Sequence, residues 1–219
     1  MPTRTYSVVS LLVALALLSM GPTCGTANTD PNQTDPNAVA DPNDLVEVTM
    51  VTTMGTIVFQ LDRSRAPVTV ENFLTYVNEG FYDGVDGLGA TIFHRVYAGF
   101  VIQGGGFTED LAQKDNHDPI TLESNNGLLN VRGTVAMART AEPDTATSQF
   151  YINLVDNTHL DYVSDAAPGY CVFGAVISGM EVADAIAAVD VEDQTIDGVY
   201  LQKVPLEPIT ITSVTVTGP

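Results

Sequence analysis

Residues 93–105 read FHRVYAGFVIQGG, a stretch rich in β-branched and aromatic residues. Such runs, ended by glycines, predict strands with turns at their ends. Because neighbouring side chains on a strand point to opposite faces, Arg95 and His94 lie on different faces. Arg95 and the amide of Gln103 are polar groups that this stretch can present beside its aromatic rings. That combination offers hydrogen-bond donors next to an apolar wall.

A second stretch of the same kind, residues 137–153, reads MARTAEPDTATSQFYIN. Its last residues predict another strand, on which Phe150 and Tyr151 face opposite ways. We assign Phe150 to the core, which leaves Tyr151 on the face that could meet Arg95. Spacing alone does not establish that the two stretches meet in space, so their contact is a question for the tertiary structure.

Neither stretch carries a residue set that catalyses bond cleavage. No pair of carboxylates accompanies Arg95, and no Gly-x-Ser-x-Gly motif supplies a nucleophilic serine. The glycines at 104–106 lack the following Lys-Ser/Thr of a phosphate-binding loop. The histidines at positions 94, 117 and 159 lack the spacing of metal ligands. The residues argue against a hydrolase, and we predict neither a metal nor a cofactor.

The composition limits the classes of partner. Of the 219 residues, 45% are hydrophobic, which is enough to bury a sizeable core. The 27 acidic and 8 basic residues give a net charge of −19, which argues against nucleic acid or an anionic membrane surface as the main partner. Cys24 and Cys171 are too few for a disulfide framework.

The first residues have the pattern of an export signal. The apolar run Val8–Met20 follows Arg4 and is too short for a comfortable membrane span. We assign residues 1–27 to a signal peptide cleaved after Ala27, with a lipoprotein signal ending before Cys24 as the alternative. In that alternative, a lipid anchor on Cys24 is the only membrane contact. Either route predicts an exported protein, periplasmic or tethered in the envelope on the outer side of the inner membrane.

A linker is predicted over residues 28–44. Asp-Pro-Asn occurs there three times, beginning at Asp30, Asp35 and Asp41. Proline fixes its own φ, and aspartate and asparagine favour turns over helices. The folded domain is predicted to span residues 45–218.

The folded domain begins with a predicted β-hairpin, in which apolar residues alternate over 46–50 and 57–61 around a turn at 54–56. A helix is predicted over Pro67–Asn78, because proline suits the first helical turn and Gly80 suits the stop. Its apolar stripe consists of Val70, Phe73, Leu74 and Val77.

Five further runs predict strands: Thr91–Val96, Phe100–Gln103, Gly133–Ala138, Gln149–Leu154 and Cys171–Ile177. A second helix is predicted to begin near Ser178, because Ser178 and Glu181 have capping-box spacing. A phase slip near Ser213 predicts a β-bulge in a closing strand. Many short strands with two helices predict a closed β-barrel capped at its ends.

Four long segments carry a resemblance to a known family: APVTVENF at 66–73, FHRVYAGFVIQGGGFTE at 93–109, NNGLLNVRGTVAMARTAEPDTATSQFYIN at 125–153, and GYCVFGAVISGMEVADAI at 169–186. In this order they resemble the cyclophilin family of peptidyl-prolyl isomerases, above all its exported bacterial branch. The resemblance covers nearly the whole domain. It implies an eight-stranded antiparallel closed β-barrel capped by two α-helices, with a substrate groove on the outside of the barrel.

The resemblance also implies roles for individual residues. Arg95 matches the family's catalytic arginine, and Phe100 and Gln103 match its partners. The implied substrate-binding residues are Val101, Ala138, Arg139, Gln149, Tyr151, His159, Leu160 and Tyr170. The implied partners are proline-containing peptides and unfolded exported proteins.

Several positions depart from the family pattern. Val101 stands where methionine is usual, Arg139 replaces a frequent asparagine, and His159 stands where the family has tryptophan or phenylalanine. Tyr170 replaces a histidine, although tyrosine is familiar there in the bacterial branch. These departures alter the pocket more than the chemistry, and we expect weak cyclosporin binding.

The stretch DGVDGLGA at 83–90 looks longer than the family's link before the FHR strand. Glycine-rich, polar stretches of this kind are typical of loops, so we expect a flexible loop here. A calcium role for Asp83 and Asp86 is the alternative.

Isomerisation before proline breaks no bond, so neither a nucleophile nor a proton shuttle is needed. The hypothesis is that Arg95 donates a hydrogen bond to the twisted amide, while Phe100, Tyr151 and Leu160 hold the proline ring. The alternative is a non-catalytic module or holdase that binds proline-containing segments in the same groove.

Overall fold

The structure, a computed structural model, describes residues 44–196 and 199–218. The predicted signal peptide, Cys24 and all of the predicted linker except Asp44 lie outside these residues. Across the described ranges, neither helix is long and apolar enough to cross a membrane.

The elements of the first half of the chain are β1 (Leu45–Thr52), β2 (Gly55–Asp62), α1 (Pro67–Asn78), β3 (Asp83–Gly84), β4 (Gly89–Ala90), β5 (Arg95–Tyr97) and β6 (Val101–Gly104). Those of the second half are β7 (Thr134–Met137), β8 (Phe150–Asn153), a 3₁₀ turn (Thr158–Leu160), β9 (Val172–Ser178), α2 (Met180–Ala187), β10 (Val191–Ile196), β11 (Val199–Pro205) and β12 (Ile211–Val216).

Eight strands form one antiparallel sheet in the order β12-β1-β2-β9-β7-β8-β6-β5. Its two ends meet through backbone hydrogen bonds: Phe93 N–H donates to the Ile209 carbonyl at 2.9 Å, and Ile211 N–H donates to the Thr91 carbonyl at 2.9 Å. The predicted set of eight antiparallel strands with two helices is confirmed. Closure takes the form of a short bridge instead of a full ladder.

The strand predicted over Thr91–Val96 is shorter in the structure, where β5 begins at Arg95. Thr91 forms an isolated bridge with Thr108, and Ile92 forms one with Thr210. The chain changes partner between these residues, so no continuous ladder develops before Arg95.

The predicted bulge in the last strand is confirmed. Val51 pairs with Ser213, whereas Thr52 pairs with Ile211, so Thr212 is the extra residue. The bulge explains the phase slip in the apolar pattern, because one added residue moves the following side chains to the other face.

Helix α1 has the bounds that its sequence predicts, and its predicted apolar stripe is buried. It ends in a Schellman motif. Gly80 adopts φ +69°. Its N–H donates to the Val77 carbonyl at 3.1 Å, and Phe81 N–H donates to the Tyr76 carbonyl at 3.0 Å.

The predicted capping box of the second helix is wrong. Ser178 is the last residue of β9 and pairs with Val58. Helix α2 begins at Met180 after Gly179, which has φ +87° and makes no side-chain cap. A Cβ at Gly179 would collide with the Thr56 carbonyl oxygen, so close backbone packing requires glycine there.

The sheet buries different residues on its two faces. The main core lies between the inner face and the helices, and Phe150 is fully buried there, as predicted. A smaller apolar cluster lies on the other face. It consists of Val101, Ala136, Tyr151 and Val172, with Phe100, Leu128, Ala138, Leu160 and Tyr170 packed against them. Strand alternation explains this division. Ala136, Tyr151 and Val172 are each flanked by core residues, and Val101 precedes the core residue Ile102.

Residues 83–90, where we expected a flexible loop, contain a short stretch of regular strand pairing. Strands β3 and β4 pair there as a short hairpin. The buried Lys114 ammonium donates to the Asp86 carboxylate at 2.7 Å and to the carbonyls of Phe81 and Gly89 at 2.7 and 2.8 Å. Asp83 accepts from Val214 N–H at 3.1 Å. The two acids proposed for calcium thus serve structural bonds. Within the described ranges, no group of three or more His, Cys, Asp or Glu side chains is arranged to hold a metal ion.

The hairpin of β10 and β11 is an element that the sequence patterns did not predict. Of its strand residues only Val204 and Pro205 are buried, and the others are exposed or half-buried. It therefore lacks the apolar alternation that reveals a half-buried strand. Strand β11 packs against β5, and so the hairpin lies beside Arg95.

Candidate active site

A cavity of about 270 Å³ opens on the outer face of the sheet, and we call it the groove pocket. It is lined by Arg95, Phe100, Val101, Gln103, Ala138, Arg139, Tyr151, Leu160 and Tyr170. All of these residues were predicted site residues. The other two, Gln149 and His159, lie next to it. The two sequence stretches therefore meet in space, because β6 pairs with β8 in the sheet.

The floor of the groove pocket is apolar and tightly packed. Val101 and Tyr151 are 2% and 4% exposed, and Ala136 and Val172 pack with them. The Tyr151 hydroxyl donates to Oδ1 of buried Asn130 at 2.7 Å. Burial raises the pKa of the Tyr151 phenol, which therefore stays protonated. The hydroxyl makes its hydrogen bond to Asn130, and the aromatic ring of Tyr151 lines the pocket.

An asparagine network supports this floor, and sequence reasoning missed it. Asn130 Oδ1 also accepts from Asn153 Nδ2 at 3.2 Å. Asn157 Nδ2 donates to Asn153 Oδ1 at 2.8 Å and to the Phe100 carbonyl at 3.1 Å. Asn130 Nδ2 donates to the Leu160 carbonyl at 3.2 Å. The network links the backbones of two pocket-lining residues, Phe100 and Leu160. Asparagines are common in turns, so no pattern marked these three.

The polar rim is formed by Arg95 and two glutamines. Arg95 pairs with Gln103 across β5 and β6. The Arg95 Nη1 atom lies 3.5 Å from Gln103 Oε1. Gln103 Nε2 in turn donates to Gln149 Oε1 at 2.8 Å. These two contacts orient the side-chain oxygen of Gln103 toward the Arg95 guanidinium.

The Arg95 guanidinium carries a charge that no carboxylate in the described ranges neutralises. Among the described residues, Arg95 takes part in none of the salt bridges. Its Cζ lies 5.9 Å from the centroids of the Tyr97 and Phe100 rings. A cation over aromatic faces is weakly stabilised without losing its hydrogen-bond donors. Those donors therefore remain for a bound molecule.

Phe100 and His159 build one wall of the groove pocket. The Phe100 ring is half-buried, and the His159 ring stacks on it with a centroid distance of 5.8 Å and an angle of 21°. His159 thus extends the wall outward without lining the pocket. The position predicted from the family pattern therefore lies beside the groove pocket, where its ring contacts Phe100.

Tyr170 and Arg139 build the opposite wall. Arg139 Cζ lies 4.6 Å from the Tyr170 ring centroid, and its Nε and Nη2 atoms donate to the Gly169 carbonyl at 2.9 and 2.6 Å. The Tyr170 ring meets Tyr151 edge to face at 5.9 Å. Arg139 is held by carbonyls and a ring, so its charge also stays available to the pocket.

The electrostatics of the groove pocket differ from those of the whole chain. Its lining contains two arginines and no acidic residue, although the chain has a net charge of −19. Burial lowers the pKa of the neighbouring His94 to about 4, so this imidazole is neutral at pH 7. The site thus offers permanent positive charge beside an apolar hollow.

Comparisons with known proteins agree with this geometry. The family model described as "Cyclophilin type peptidyl-prolyl cis-trans isomerase/CLD" matches residues 47–216. The peptidyl-prolyl cis-trans isomerase A of Dickeya dadantii is 51% identical over 76% of this chain and 82% of its own length. The peptidyl-prolyl cis-trans isomerase B of Escherichia coli is 48% identical over 77% and 98%.

A solved structure agrees as well. A cyclophilin type peptidyl-prolyl cis-trans isomerase from Cryptosporidium parvum superposes with a TM-score of 0.63 and 25% identity, over 80% of this chain and 99% of that one. The family model and the bacterial relatives span most of the described residues. The chain therefore belongs to the cyclophilin family and is a peptidyl-prolyl cis–trans isomerase.

Proposed function

We propose that Arg95 is the catalytic residue and that the groove pocket holds the proline of exported client proteins. The single observation that carries the proposal is the Arg95 guanidinium, free of any carboxylate in the described residues, at the rim of an apolar hollow. A relative of this chain was solved in the presence of the dipeptide Ala-Pro. A proline-containing ligand suits the hollow, because its ring is compact and apolar.

The reaction needs no bond cleavage. The amide C–N bond has partial double-bond character, and rotation about it meets a barrier of about 18–20 kcal/mol. In the twisted form the prolyl nitrogen regains a lone pair, which a guanidinium can bind through a hydrogen bond. An interaction stronger with the twisted form than with either planar form accelerates exchange in both directions.

The free energies involved indicate that Arg95 and the pocket each contribute part of the rate acceleration. A 10⁵-fold acceleration needs about 7 kcal/mol of differential stabilisation. One charge-assisted hydrogen bond supplies about 1.5–3 kcal/mol. Positioning of the ring by Phe100, Tyr151 and Leu160 must supply most of the remainder. Gln103 keeps the guanidinium oriented through its Oε1 atom.

The decisive experiment compares Arg95→Ala with wild type in a protease-coupled assay on a short proline peptide. We expect kcat/KM to fall at least tenfold, and more if the lost hydrogen bond is worth the upper end of its range. Arg63→Ala is the matched control, since Arg63 is an exposed arginine that pairs with Glu71 at 3.9 Å and does not line the groove pocket. Equal rates for wild type and Arg95→Ala would overturn the assignment. Saturable peptide binding by a wild type without any acceleration would favour the non-catalytic module instead.

We place the client proteins among exported chains, because residues 1–27 have the pattern of a signal and residues 28–44 that of a linker. Cleavage after Ala27 releases the protein into the periplasm, whereas lipidation of Cys24 tethers it to the envelope. Mass analysis of the processed N-terminus distinguishes the two. Cyclosporin is expected to inhibit weakly, since Val101, Arg139 and His159 alter the pocket that other family members present.

A further inference from the structure

A second cavity of about 310 Å³ adjoins the groove pocket, and we call it the hairpin cavity. It shares Arg95 and Gln103 with the groove pocket, and Phe107 also lines it. Its far wall is formed by Tyr200, Leu201 and Gln202 of β11. The Arg95–Gln103 edge thus separates two hollows, one of which the family resemblance implied and one of which the unpredicted hairpin creates.

A third cavity of about 350 Å³ shares Gln103, Ala138, Arg139 and Gln149 with the same region. The groove pocket therefore has neighbouring hollows on more than one side. A polypeptide that places an internal proline in the groove pocket must leave it in two directions. An extended chain advances about 3.3–3.6 Å per residue, so the residues that flank the proline can reach an adjoining cavity.

The hairpin wall is held in place by one carboxylate. The Tyr200 hydroxyl donates to Asp193 Oδ2 at 2.6 Å, and Lys203 N–H donates to Asp193 Oδ1 at 3.0 Å. Asp193 lies at the register shift between Glu192 and Gln194, and Lys203 adopts φ +54°. The irregular backbone at this point thus brings the Asp193 carboxylate to the hydroxyl of Tyr200, whose side chain lines the cavity.

Tyr200 is 58% exposed although its hydroxyl is tethered. A large ring at the surface, oriented by a hydrogen bond beside the catalytic edge, loses little conformational entropy when a ligand packs against it. Leu201 and Phe107 add apolar surface, and the amides of Gln149 and Gln202 can bind a peptide backbone. The lining contains no acidic residue. These features match an apolar side chain on an extended peptide.

We propose that the β10–β11 hairpin is a second substrate wall. The segment of the client chain that flanks the bound proline lies between β11 and the Arg95–Gln103 edge, and it places an apolar or aromatic side chain against Tyr200, Leu201 and Phe107. The hairpin thereby selects extended, apolar-flanked proline segments of unfolded polypeptides over short or polar ones. This inference rests on the proposed function, because it requires the proline to occupy the groove pocket.

The experiment compares two sets of peptides. One is a minimal tetrapeptide with a single proline. The other is a pair of longer peptides that differ only in carrying either leucine or serine at the positions two to four residues from the proline, on both sides. Wild type is expected to isomerise the leucine peptide with a kcat/KM about tenfold above that of the serine peptide. The double variant Y200A/L201S is expected to lose this preference and to keep its rate on the tetrapeptide within about twofold of wild type.

Two further variants locate the effect. Leu206→Ser removes an exposed apolar side chain just after the hairpin that does not line the cavity, and it should keep the preference. Tyr200→Phe removes the bond to Asp193 and keeps the ring, so it should keep part of the preference. A double variant that retains the full leucine preference would overturn the inference.

A measurement on the unaltered protein guards against a variant that fails to fold. Titration of ¹⁵N-labelled wild type with the leucine peptide should shift the backbone amide signals of residues 200–202, and the serine peptide should shift them less. Absence of shifts at the hairpin, with shifts at Arg95 and Gln103 present, would also overturn the inference. Failure of the proposed function looks different, since wild type would then not accelerate even the tetrapeptide.

Discussion

The side-chain amide of Gln103 donates to Oε1 of Gln149 at 2.8 Å, and this bond determines which end of Gln103 faces Arg95. With its nitrogen engaged by Gln149, Gln103 presents its oxygen to the guanidinium, 3.5 Å away. An unanchored amide could rotate and present its NH₂ group, which would repel the guanidinium hydrogens. Gln149 therefore acts on Arg95 through Gln103, as a positioning residue.

Gln149→Leu is expected to reduce kcat about three- to tenfold with a smaller change in KM, because Arg95 loses the orientation that Gln149 gives it through Gln103. Steady-state kinetics on a short proline peptide measure both constants. Thr147→Ser is a mild control on the same segment. A rise in KM at unchanged kcat would show that Gln149 contributes ground-state binding instead.

Tyr151→Phe separates the ring of the pocket floor from its hydroxyl. The variant loses the 2.7 Å bond to Asn130 and keeps the ring that lines the pocket. We expect the free energy of unfolding to fall by about 1 kcal/mol, with kcat/KM within about twofold of wild type. Urea denaturation and the peptide assay measure the two effects. Tyr151→Ala provides the contrast, since it removes the floor and should lower activity strongly.

His94 makes the stability depend on pH. His94 is 4% exposed, its Nδ1 atom has no hydrogen-bond partner among the described residues, and burial lowers its pKa to about 4 from 6.5. His94 therefore becomes protonated near pH 6.5 in the unfolded chain, but only near pH 4 in the folded chain. The contribution of His94 is fully present above pH 6.5 and is lost as the pH falls toward 4, by up to about 3 kcal/mol.

The check is the free energy of unfolding of wild type and His94→Leu at pH 7 and pH 4.5. The variant should lose less stability between these pH values. The exposed Asp110 and Asp193 carboxyls, whose pKa values are lowered by hydrogen bonds from Thr108 and Tyr200, contribute in the same direction in both proteins. Identical pH slopes would contradict the role assigned to His94.

Asp86→Ala tests the anchoring of the β3–β4 hairpin. The Lys114 side chain is 3% exposed, and its ammonium would lose the only carboxylate within the described residues that pairs with it. The two carbonyls and the Phe81 ring at 4.4 Å remain. We expect a loss of about 3 kcal/mol in the free energy of unfolding. The double variant D86A/K114M should recover part of this loss, because it leaves no buried charge; a double variant as unstable as the single one would contradict the argument.

Peptide isomerisation by Asp86→Ala should be unchanged under conditions where the variant is folded. The cavity around Lys114 shares no lining residue with the groove pocket. A large loss of activity in a folded variant would mean that this hairpin contributes to the groove.

Local patterns sufficed for much of the fold. Proline at the start and glycine after the end bounded α1, and the alternation of apolar residues placed Phe150 in the core and Tyr151 in the groove. The phase slip near Ser213 located the bulge. The matched motif residues also converge on one pocket in the structure, because they lie on adjacent strands of one sheet. Where two signals competed, as at Ser178, the strand pairing with Val58 prevailed over the capping-box spacing.

What the sequence by itself determined is the family, the antiparallel strands, the first helix and the residue types that can bind a proline ring beside a cation. These properties depend on short-range periodicity and on motifs that are contiguous in the chain. The tertiary structure alone decided the asparagine network under Tyr151, the Lys114–Asp86 pair and the wall that Tyr200 presents beside Arg95. Each of these joins polar residues far apart in the chain, and their partners are chosen by proximity and desolvation after folding, which no local pattern encodes.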